Sequence, residues 1–292
     1  MSDLWFAMFT IGIACITAGI TFAIFASQQR QTQMLWIALT TFGMFAFLLY
    51  AAGRLYWAKL IPNSAVIVWS NWTPILASIA AGVCFRLADT PRWRRLAMAL
   101  SLGGISVAAV FWPFLGIALR PPPAGGDLWD GPVAMQTSWA TCSPAAAATF
   151  LNAVGIQVSE AEMIPRCLTD ASGTPTLGLY RGVKMVANQH GRDIKVMSGS
   201  LEDLIRGQPW PVLLIVELPR GVQDARYENE WGWIPGLGHS VVALGQDHEG
   251  RIIIADPSIG LEAWTVHDMR VLWHGDAIAF VEGTGLDAGE AF

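Results

Sequence analysis

The sequence predicts two parts, a helical membrane anchor of four spans followed by a soluble α+β domain with an antiparallel sheet. The first observation is composition, because 53% of residues are hydrophobic and only 14% are charged, against about 25% charged residues in ordinary soluble domains. The second is charge distribution: residues 1–120 hold eight basic and two acidic side chains, net +6, whereas residues 121–292 have net −11. The third is that four uncharged apolar runs lie within residues 1–120. We therefore expect a transmembrane domain at 1–120, a linker at 121–130 and a soluble domain at 131–292.

The four runs cover residues 4–26, 34–53, 65–85 and 96–119. Each approaches the roughly 20 residues that cross about 30 Å of hydrocarbon as a helix. The first run lacks a basic segment before it and is long for a signal peptide, so we interpret it as a retained span. The third run is the weakest, since Asn71 and Pro74 interrupt it.

Basic residues in the loops predict the orientation of the anchor. The loops after the first and third spans carry five of them, Arg30, Arg86, Arg92, Arg94 and Arg95, and the opposite side carries three. The positive-inside rule then places the soluble domain outside the cytoplasm. The runs contain no ionisable side chain, which argues against a transporter or a channel. We expect an anchor that contacts the lipid bilayer and, in one interpretation, partner membrane proteins.

After a Pro- and Gly-rich linker, helices precede strands. Helices are expected at 144–154, 159–168, 177–190 and 201–206, and strands at 212–217, 240–245, 251–256 and 277–281. This order is typical of an α+β domain. The sequence contains no glycine-rich phosphate-binding motif, and its acidic, sparsely charged composition argues against nucleic acid as a partner.

A candidate nucleophile lies in the segment QTSWATCSPAAAATFL, residues 136–151. Thr141 suits an N-cap, Pro144 suits the first turn, and the alanines propagate a helix. Cys142 is therefore expected at a helix N-terminus, where the partial positive charge favours a thiolate. An isolated cysteine is more often a packing residue, so this segment alone leaves both interpretations open.

Residues 235–257 predict a β-hairpin that brings a base to this nucleophile. If Asp247 pairs with Gly250 in the turn, His239 lies opposite Ser258, and Asp256 becomes its diagonal neighbour at about 7–8 Å between backbones. Asp256 can then orient one imidazole nitrogen while the other accepts the proton of Cys142. A slip of one residue in the turn would break this register.

These residues, with Gln136 six positions before Cys142, also carry a resemblance to a known family. Residues 131–283 resemble the papain-like peptidase domain of the bacteriocin-processing, double-glycine leader peptidases. The matching motifs are Gly173-x-x-x-Leu177, Ala187, Gly191, Gly238-His239-x-Val241-Val242, Ala255-Asp256-Pro257 and Trp273-His274-Gly275. The resemblance implies a papain-like fold with Cys142 as nucleophile, His239 as base, Asp256 as the residue that orients His239, and Gln136 as an oxyanion donor. A side-chain amide beside the Cys142 N–H suits that last role.

The chain departs from the family around the nucleophile and in its order of domains. It has Thr141-Cys142-Ser143-Pro144 where the family commonly has Asp-Cys-Gly or Cys-Gly-Pro. The soluble domain here follows the spans, whereas in the exporters of the family the peptidase precedes the spans and an ATPase follows. The family peptidase is cytosolic, but the loop charges place this one outside. These departures concern the substrate rather than the catalytic residues.

The sequence thus predicts a membrane-anchored cysteine peptidase that acts on a peptide or protein substrate. We expect a multi-pass protein of a bacterial inner membrane, with the peptidase domain outside the cytoplasm. No cofactor is expected, and the histidines lack zinc-ligand spacing. The alternative is a non-catalytic subunit of a membrane complex that uses the peptidase-like fold as a protein-binding module.

Two further features leave alternatives open. The segment from Arg220 to Trp233 is either a lid over the site or a hairpin whose two tryptophans, Trp231 and Trp233, pack on the sheet. Cys167 is expected on a helix, and in an oxidising compartment it is a candidate disulfide partner for Cys142.

Overall fold

The structure, a computed structural model, describes residues 2–207 and 210–281. The last eleven residues of the expected soluble domain therefore lie outside the described residues. The chain divides into two compact units, one formed by Met1–Arg54 and Ser64–Leu119 and the other by Leu55–Asn63 and Arg120–Phe292.

The first unit is helical, and its central helix packs against three others. Its helices are α1 (Ser2–Phe25), α2 (Arg30–Tyr50), α4 (Val66–Trp69), α5 (Thr73–Phe85), α6 (Arg92–Val110) and α7 (Trp112–Leu119), while the short α3 (Trp57–Leu60) belongs to the second unit. The central helix is α5, which contacts α1, α2 and α6. Its small buried residues, among them Ala77, Ala80 and Gly82, let those helices approach closely.

Three helical segments are long and apolar enough to span a membrane: α1, α2 and the stretch Val66–Phe85 that joins α4 and α5. The fourth expected span, residues 96–119, is not one straight helix. Between α6 and α7 the helix axis bends by 81°. Within the described residues there are therefore three candidate spans, or four if this bent pair crosses as one, so the expected number of four is not confirmed.

Two prolines and one asparagine explain the breaks in the third and fourth segments. Pro113 lacks the N–H that would bond to the carbonyl of Ala109, four residues earlier. The side-chain amide of Asn71 donates to that carbonyl at 3.1 Å. The other end of the same amide accepts from the backbone N–H of Thr73 at 3.2 Å, where α5 restarts with Pro74 in its first turn. A polar side chain thus satisfies backbone groups that the breaks leave free.

The second unit contains a six-stranded antiparallel sheet with helices on both faces. Its elements after α3 are β1 (Trp129–Asp130), β2 (Val133–Ala134), α8 (Cys142–Asn152), α9 (Glu160–Arg166), α10 (Thr176–Gln189), β3 (Ile194–Ser198), α11 (Leu201–Gly207), β4 (Val212–Glu217), α12 (Arg226–Asn229), β5 (Gly238–Gln246), β6 (Ile252–Asp256), β7 (Gly260–Trp264), α13 (Val266–Leu272) and β8 (Trp273–Phe280). The strand order is β3-β8-β4-β5-β6-β7, and β1 pairs only with β2. The α+β architecture with an antiparallel sheet is as predicted.

The helix that begins with Cys142 lies against the middle of this sheet. Its four alanines, Ala145 to Ala148, are completely buried, and their small size lets α8 pack closely on β5. Farther along α8, Phe150 stacks on Phe280 of β8 with ring centroids 4.4 Å apart. A separate cluster, which includes Tyr227, Val241, Ile254, Trp264 and Leu272, forms a second core.

The pairing of β5 with β6 corrects the predicted hairpin at its turn but not at its open end. In the turn, the Asp247 N–H bonds to the carbonyl of Arg251 at 2.9 Å, one residue beyond the predicted partner Gly250. A β-bulge between Ala243 and Gly245 restores the predicted register, so that Val242 lies opposite Ala255. The extra residue on β5 compensates for the longer turn.

Candidate functional site

Cys142 is the first residue of α8, at the point where the helix meets the sheet. Thr141 occupies the N-cap position but its side chain makes no capping bond, contrary to expectation. Its hydroxyl instead donates to the carbonyl of Ser138 at 2.9 Å and accepts from the Ser138 N–H at 3.1 Å. Thr141 therefore closes the loop that precedes Cys142. The backbone N–H groups of the first helical turn remain available, as at any helix start.

His239 and Asp256 are joined by a hydrogen bond at the open end of the β5–β6 hairpin. His239 Nε2 and Asp256 Oδ1 are 2.8 Å apart. Asp256 is completely buried, and Ser258 donates to the same oxygen from its backbone N–H at 2.8 Å and from its hydroxyl at 2.6 Å. Since several donors surround this carboxylate, its ionised form is favoured despite burial.

The imidazole of His239 also lies close enough to the thiol of Cys142 for the two groups to shift each other's pKa. Because Nε2 faces Asp256, the nitrogen available to the thiol is Nδ1. The structure therefore brings Cys142, His239 and Asp256 together from α8, β5 and β6, with a hydrogen bond between His239 and Asp256 and an electrostatic interaction between His239 and Cys142.

The electrostatics of the three groups favour a thiolate and an imidazolium. Burial by itself raises the pKa of Cys142, but the hydrogen bond and charge of His239 outweigh it, so the pKa is lowered. Burial lowers the pKa of His239, yet the negative charge of Asp256 raises it well above its usual range. For Asp256, burial raises the pKa and the charge of His239 lowers it, with a net decrease. The opposite shifts of the two groups favour the thiolate–imidazolium pair over the neutral thiol–imidazole pair.

Trp233 is a site residue that the sequence did not identify as one. Its indole N–H donates to Asp256 Oδ2 at 3.0 Å, and its ring meets the His239 ring edge-on with centroids 4.8 Å apart. It is 6% exposed and packs against Trp231 and Trp264. Both tryptophans of the segment from Arg220 to Trp233 are packed, as in the second interpretation, but the segment contains the short helix α12 rather than a hairpin. The Trp–Gly–Trp pattern before His239 was the one sequence feature that could have indicated Trp233 as a site residue.

Gln136 lies beside the end of β6. Its backbone N–H donates to the carbonyl of Pro257 at 2.8 Å, next to Asp256. Its side-chain oxygen Oε1 is buried and has no hydrogen-bond partner among the described residues. A buried polar atom left unpaired in a native structure calls for an explanation. Because Oε1 is an acceptor, a ligand group that donates a hydrogen bond would satisfy it, whereas an oxyanion could bond only to the NH₂ group of the same amide.

A buried glutamate fixes the loop that carries Gln136. Glu160, the first residue of α9, is 1% exposed. Its carboxylate accepts from the Thr137 N–H at 2.8 Å, from the Thr137 hydroxyl at 2.9 Å and from the Gly126 N–H at 2.7 Å. This residue escaped sequence analysis because a glutamate in a first helical turn usually faces solvent. Here it ties the linker to the residue that follows Gln136.

Cys167 lies apart from this chemistry. It is a free, completely buried cysteine, and burial raises its pKa to about 12. The alternative of a disulfide with Cys142 is therefore not realised. Within residues 2–207 and 210–281, no group of three or more His, Cys, Asp or Glu side chains is arranged to hold a metal ion.

No family model matches the sequence. Two curated relatives are uncharacterized proteins of methanogens. The one from Methanothermobacter marburgensis is 29% identical over 133 residues, which cover 46% of this chain and 76% of the relative. The one from Methanothermobacter thermautotrophicus is 39% identical over 72 residues, 21% of this chain and 51% of the relative.

Among solved structures, the chain is similar to three peptidases. The peptidase domain of Streptococcus ComA, a bi-functional ABC transporter involved in quorum sensing, is 20% identical, with 51% of this chain and 96% of that domain covered and a TM-score of 0.40. A double-glycine-motif protease from an AMS/PCAT transporter, in complex with its leader peptide, is 18% identical, with 55% and 96% covered and a TM-score of 0.39. A putative C39-like peptidase from Bacillus anthracis is 18% identical, with 50% and 91% covered and a TM-score of 0.39.

Proposed function

We propose that this chain is a membrane-anchored cysteine peptidase. The observation that carries the proposal is that His239, which is hydrogen-bonded to buried Asp256, lies beside Cys142 at the start of α8 and lowers the pKa of its thiol. A nucleophile, a base next to it and a third group that orients the base form the arrangement required for covalent catalysis.

The first chemical step is the attack of the Cys142 sulfur on a peptide carbonyl carbon. The thiol proton resides on Nδ1 of His239, and Asp256 stabilises the resulting imidazolium through Nε2. The sulfur–carbon bond forms, and the carbonyl oxygen becomes an oxyanion. We assign the Cys142 N–H and the side-chain NH₂ group of Gln136 as the donors to that oxygen.

The second half of the reaction returns the enzyme to its starting state. His239 gives its proton to the leaving amine as the carbon–nitrogen bond breaks, which leaves a thioester on Cys142. A water molecule, deprotonated by His239, then attacks the thioester and releases the carboxylate product. The edge of Trp233 against the imidazole and its hydrogen bond to Asp256 keep the orienting pair away from water.

The side chains next to the site favour an apolar peptide. Trp139, three residues before Cys142, is 59% exposed, and Ile234 and Leu237, just before His239, are 59% and 41% exposed. Exposed apolar side chains close to reactive groups are typical of a binding surface. With the loop charges of the anchor, we further propose a multi-pass protein of a bacterial inner membrane whose peptidase domain, residues 131–292, acts outside the cytoplasm.

The test is hydrolysis of a peptide library by the full-length protein in detergent. Cys142→Ala should abolish turnover, whereas Cys167→Ala removes a buried thiol of the same unit and should leave turnover in place. His239→Ala should be nearly as severe as Cys142→Ala, because nucleophile and base act as a unit. If the protein binds peptides with equal affinity in parent and Cys142→Ala forms and neither hydrolyses them, the chain is a binding module rather than an enzyme.

A further inference from the structure

The residues that follow the nucleophile and the base form a buried pair of their own. Ser143 follows Cys142 on α8, and Ser240 follows His239 on β5. Their hydroxyl oxygens are 2.9 Å apart, and the two residues are only 8% and 3% exposed. This is a direct hydrogen bond between helix and strand, one residue from each of the two reacting groups.

The pair exists because side chains alternate along a strand. His239 extends to the face where Asp256 and Trp233 lie, so Ser240 faces the opposite way, toward α8. The thiol of Cys142 therefore lies at the end of β5, where α8 packs on one face of the sheet and the imidazole of His239 is oriented by residues on the other face. A small shift of α8 along β5 would separate sulfur from imidazole without disturbing the bond between His239 and Asp256.

Ser143 and Ser240 also interact with the sulfur. The Ser143 hydroxyl lies 3.9 Å from Sγ, and the Ser143 side chain and the Ser240 backbone both lower the pKa of Cys142. Donors aimed at sulfur stabilise the thiolate more than the thiol. When the thiol proton has moved to His239, the Ser143 hydroxyl can turn toward sulfur while the Ser240 hydroxyl donates to Ser143, and each serine keeps its own proton.

We propose that Ser143 and Ser240 are positioning residues, a hydroxyl pair that fixes α8 against β5 at the separation where Cys142 and His239 exchange a proton. The proposal rests on the function proposed above, because it concerns the same nucleophile and base. It assigns a purpose to Ser143, which stands where the resembling family commonly has glycine, and to Ser240, which occupies the position after the base.

The experiment measures alkylation of Cys142 by iodoacetamide against pH in the full-length protein, quantified by mass spectrometry of the peptide that contains Cys142. Ser143→Ala and Ser240→Ala should each slow alkylation about 2- to 10-fold at neutral pH, the range expected for one hydrogen bond. Each should also move the midpoint of the profile to higher pH. The double variant should be no slower than the slower single variant, because both substitutions remove the same bond.

Thr149→Ala is the matched control. It removes another buried hydroxyl of α8, one that bonds to the Ala134 N–H at 2.9 Å, and it should leave the alkylation profile unchanged while lowering thermal stability. Effects of Ser143→Ala and Ser240→Ala that simply multiply, or a Thr149→Ala variant that shifts the midpoint equally, would overturn the role of the pair. An unactivated Cys142 in the parent protein would instead overturn the proposed function, so the two failures are distinguishable.

Discussion

Asp256→Asn tests the geometry of the orienting carboxylate, since the donors around Asp256 dictate how an asparagine must lie. Three of its four hydrogen-bond donors, one from His239 and two from Ser258, point at Oδ1, and the fourth, from Trp233, points at Oδ2. An amide has one acceptor oxygen and one NH₂ group. The oxygen must take the place of Oδ1, so the NH₂ group faces the indole N–H of Trp233.

The structure sets the size of the effect. The variant loses one hydrogen bond to a buried charge, about 1.5–3 kcal/mol, and places two donors face to face. For a unit of this length each kcal/mol moves the melting temperature by roughly 2–4 °C, so we expect a decrease of about 3–12 °C. The pKa of Asp256 is lower in the folded protein than its unfolded value of about 3.9, so the ionised carboxylate stabilises the fold above that pH, and this stabilisation is lost only in acid. The full decrease in melting temperature should therefore be seen at neutral pH.

A second substitution makes this expectation specific. Trp233→Phe alone should lower the melting temperature, since it removes a donor that Asp256 uses. In the Asp256→Asn background the same change should raise it, because it removes the donor that faces the amide. Thermal unfolding of the full-length protein in detergent, followed by circular dichroism at neutral pH, gives all four values. A Trp233→Phe effect of the same sign and size in both backgrounds would refute the hydrogen-bond assignment.

Three further predictions concern the nucleophile, the oxyanion donor and the membrane. Cys142 should be alkylated with a midpoint below the free thiol value of about 8.5, and a midpoint at or above it in folded protein would contradict activation by His239. Gln136→Ala should leave alkylation by small electrophiles intact but reduce peptide turnover by about 10²–10³. Glu160→Gln places an NH₂ group against backbone donors, so it should also reduce turnover, to a smaller extent. If either variant lowered the alkylation rate as much as the turnover rate, the oxyanion role of Gln136 would be contradicted. A phosphatase reporter that is active only when exported should be active after Phe292 and inactive after Asp89. The reverse pattern would show that the topology is inverted.

The sequence predicted most of the fold because its signals are local. Apolar runs, the prolines 121–123 and the alanine-rich start of α8 each act within a few residues. Helix α13 was missed although Thr265 and Asp268 form a capping box at its start, whereas two missed strands lack a clear local signal. Strand β7 is short and half exposed, and β3 carries the mixed pattern IKVMS, so neither shows a clear alternation.

The breaks in the membrane segments were only partly predictable. Asn71 and Pro74 visibly interrupt the third apolar run, and the structure places a helix break there. The bend at Pro113 was missed because the run around it is continuously hydrophobic. Its consequence, a carbonyl at Ala109 satisfied by Asn71, joins residues 38 positions apart, and a local pattern contains no such pairing.

At the site, the sequence indicated four residues and overlooked three that surround them. The register of β5 and β6 was predicted from the turn, and it is correct at Val242 and Ala255 only because a bulge offsets a one-residue error. Trp233, Glu160 and Ser240 escaped because their contacts cross between elements that are distant in sequence. In its local sequence each residue has a common type for its position: an aromatic residue in a loop, an acidic residue at a helix start and a small residue in a strand.

The most direct test of the central claim is to trap the covalent intermediate. Full-length protein is mixed with an activated ester of a short apolar peptide, quenched in acid within milliseconds to seconds, and its intact mass and the modified residue are determined. We expect an acyl adduct on Cys142 that forms rapidly at neutral pH, decays as product appears, and forms far more slowly in His239→Ala. A parent protein that forms no adduct, or forms it as slowly as the His239→Ala variant does, would contradict the assignment of Cys142 and His239 as nucleophile and base.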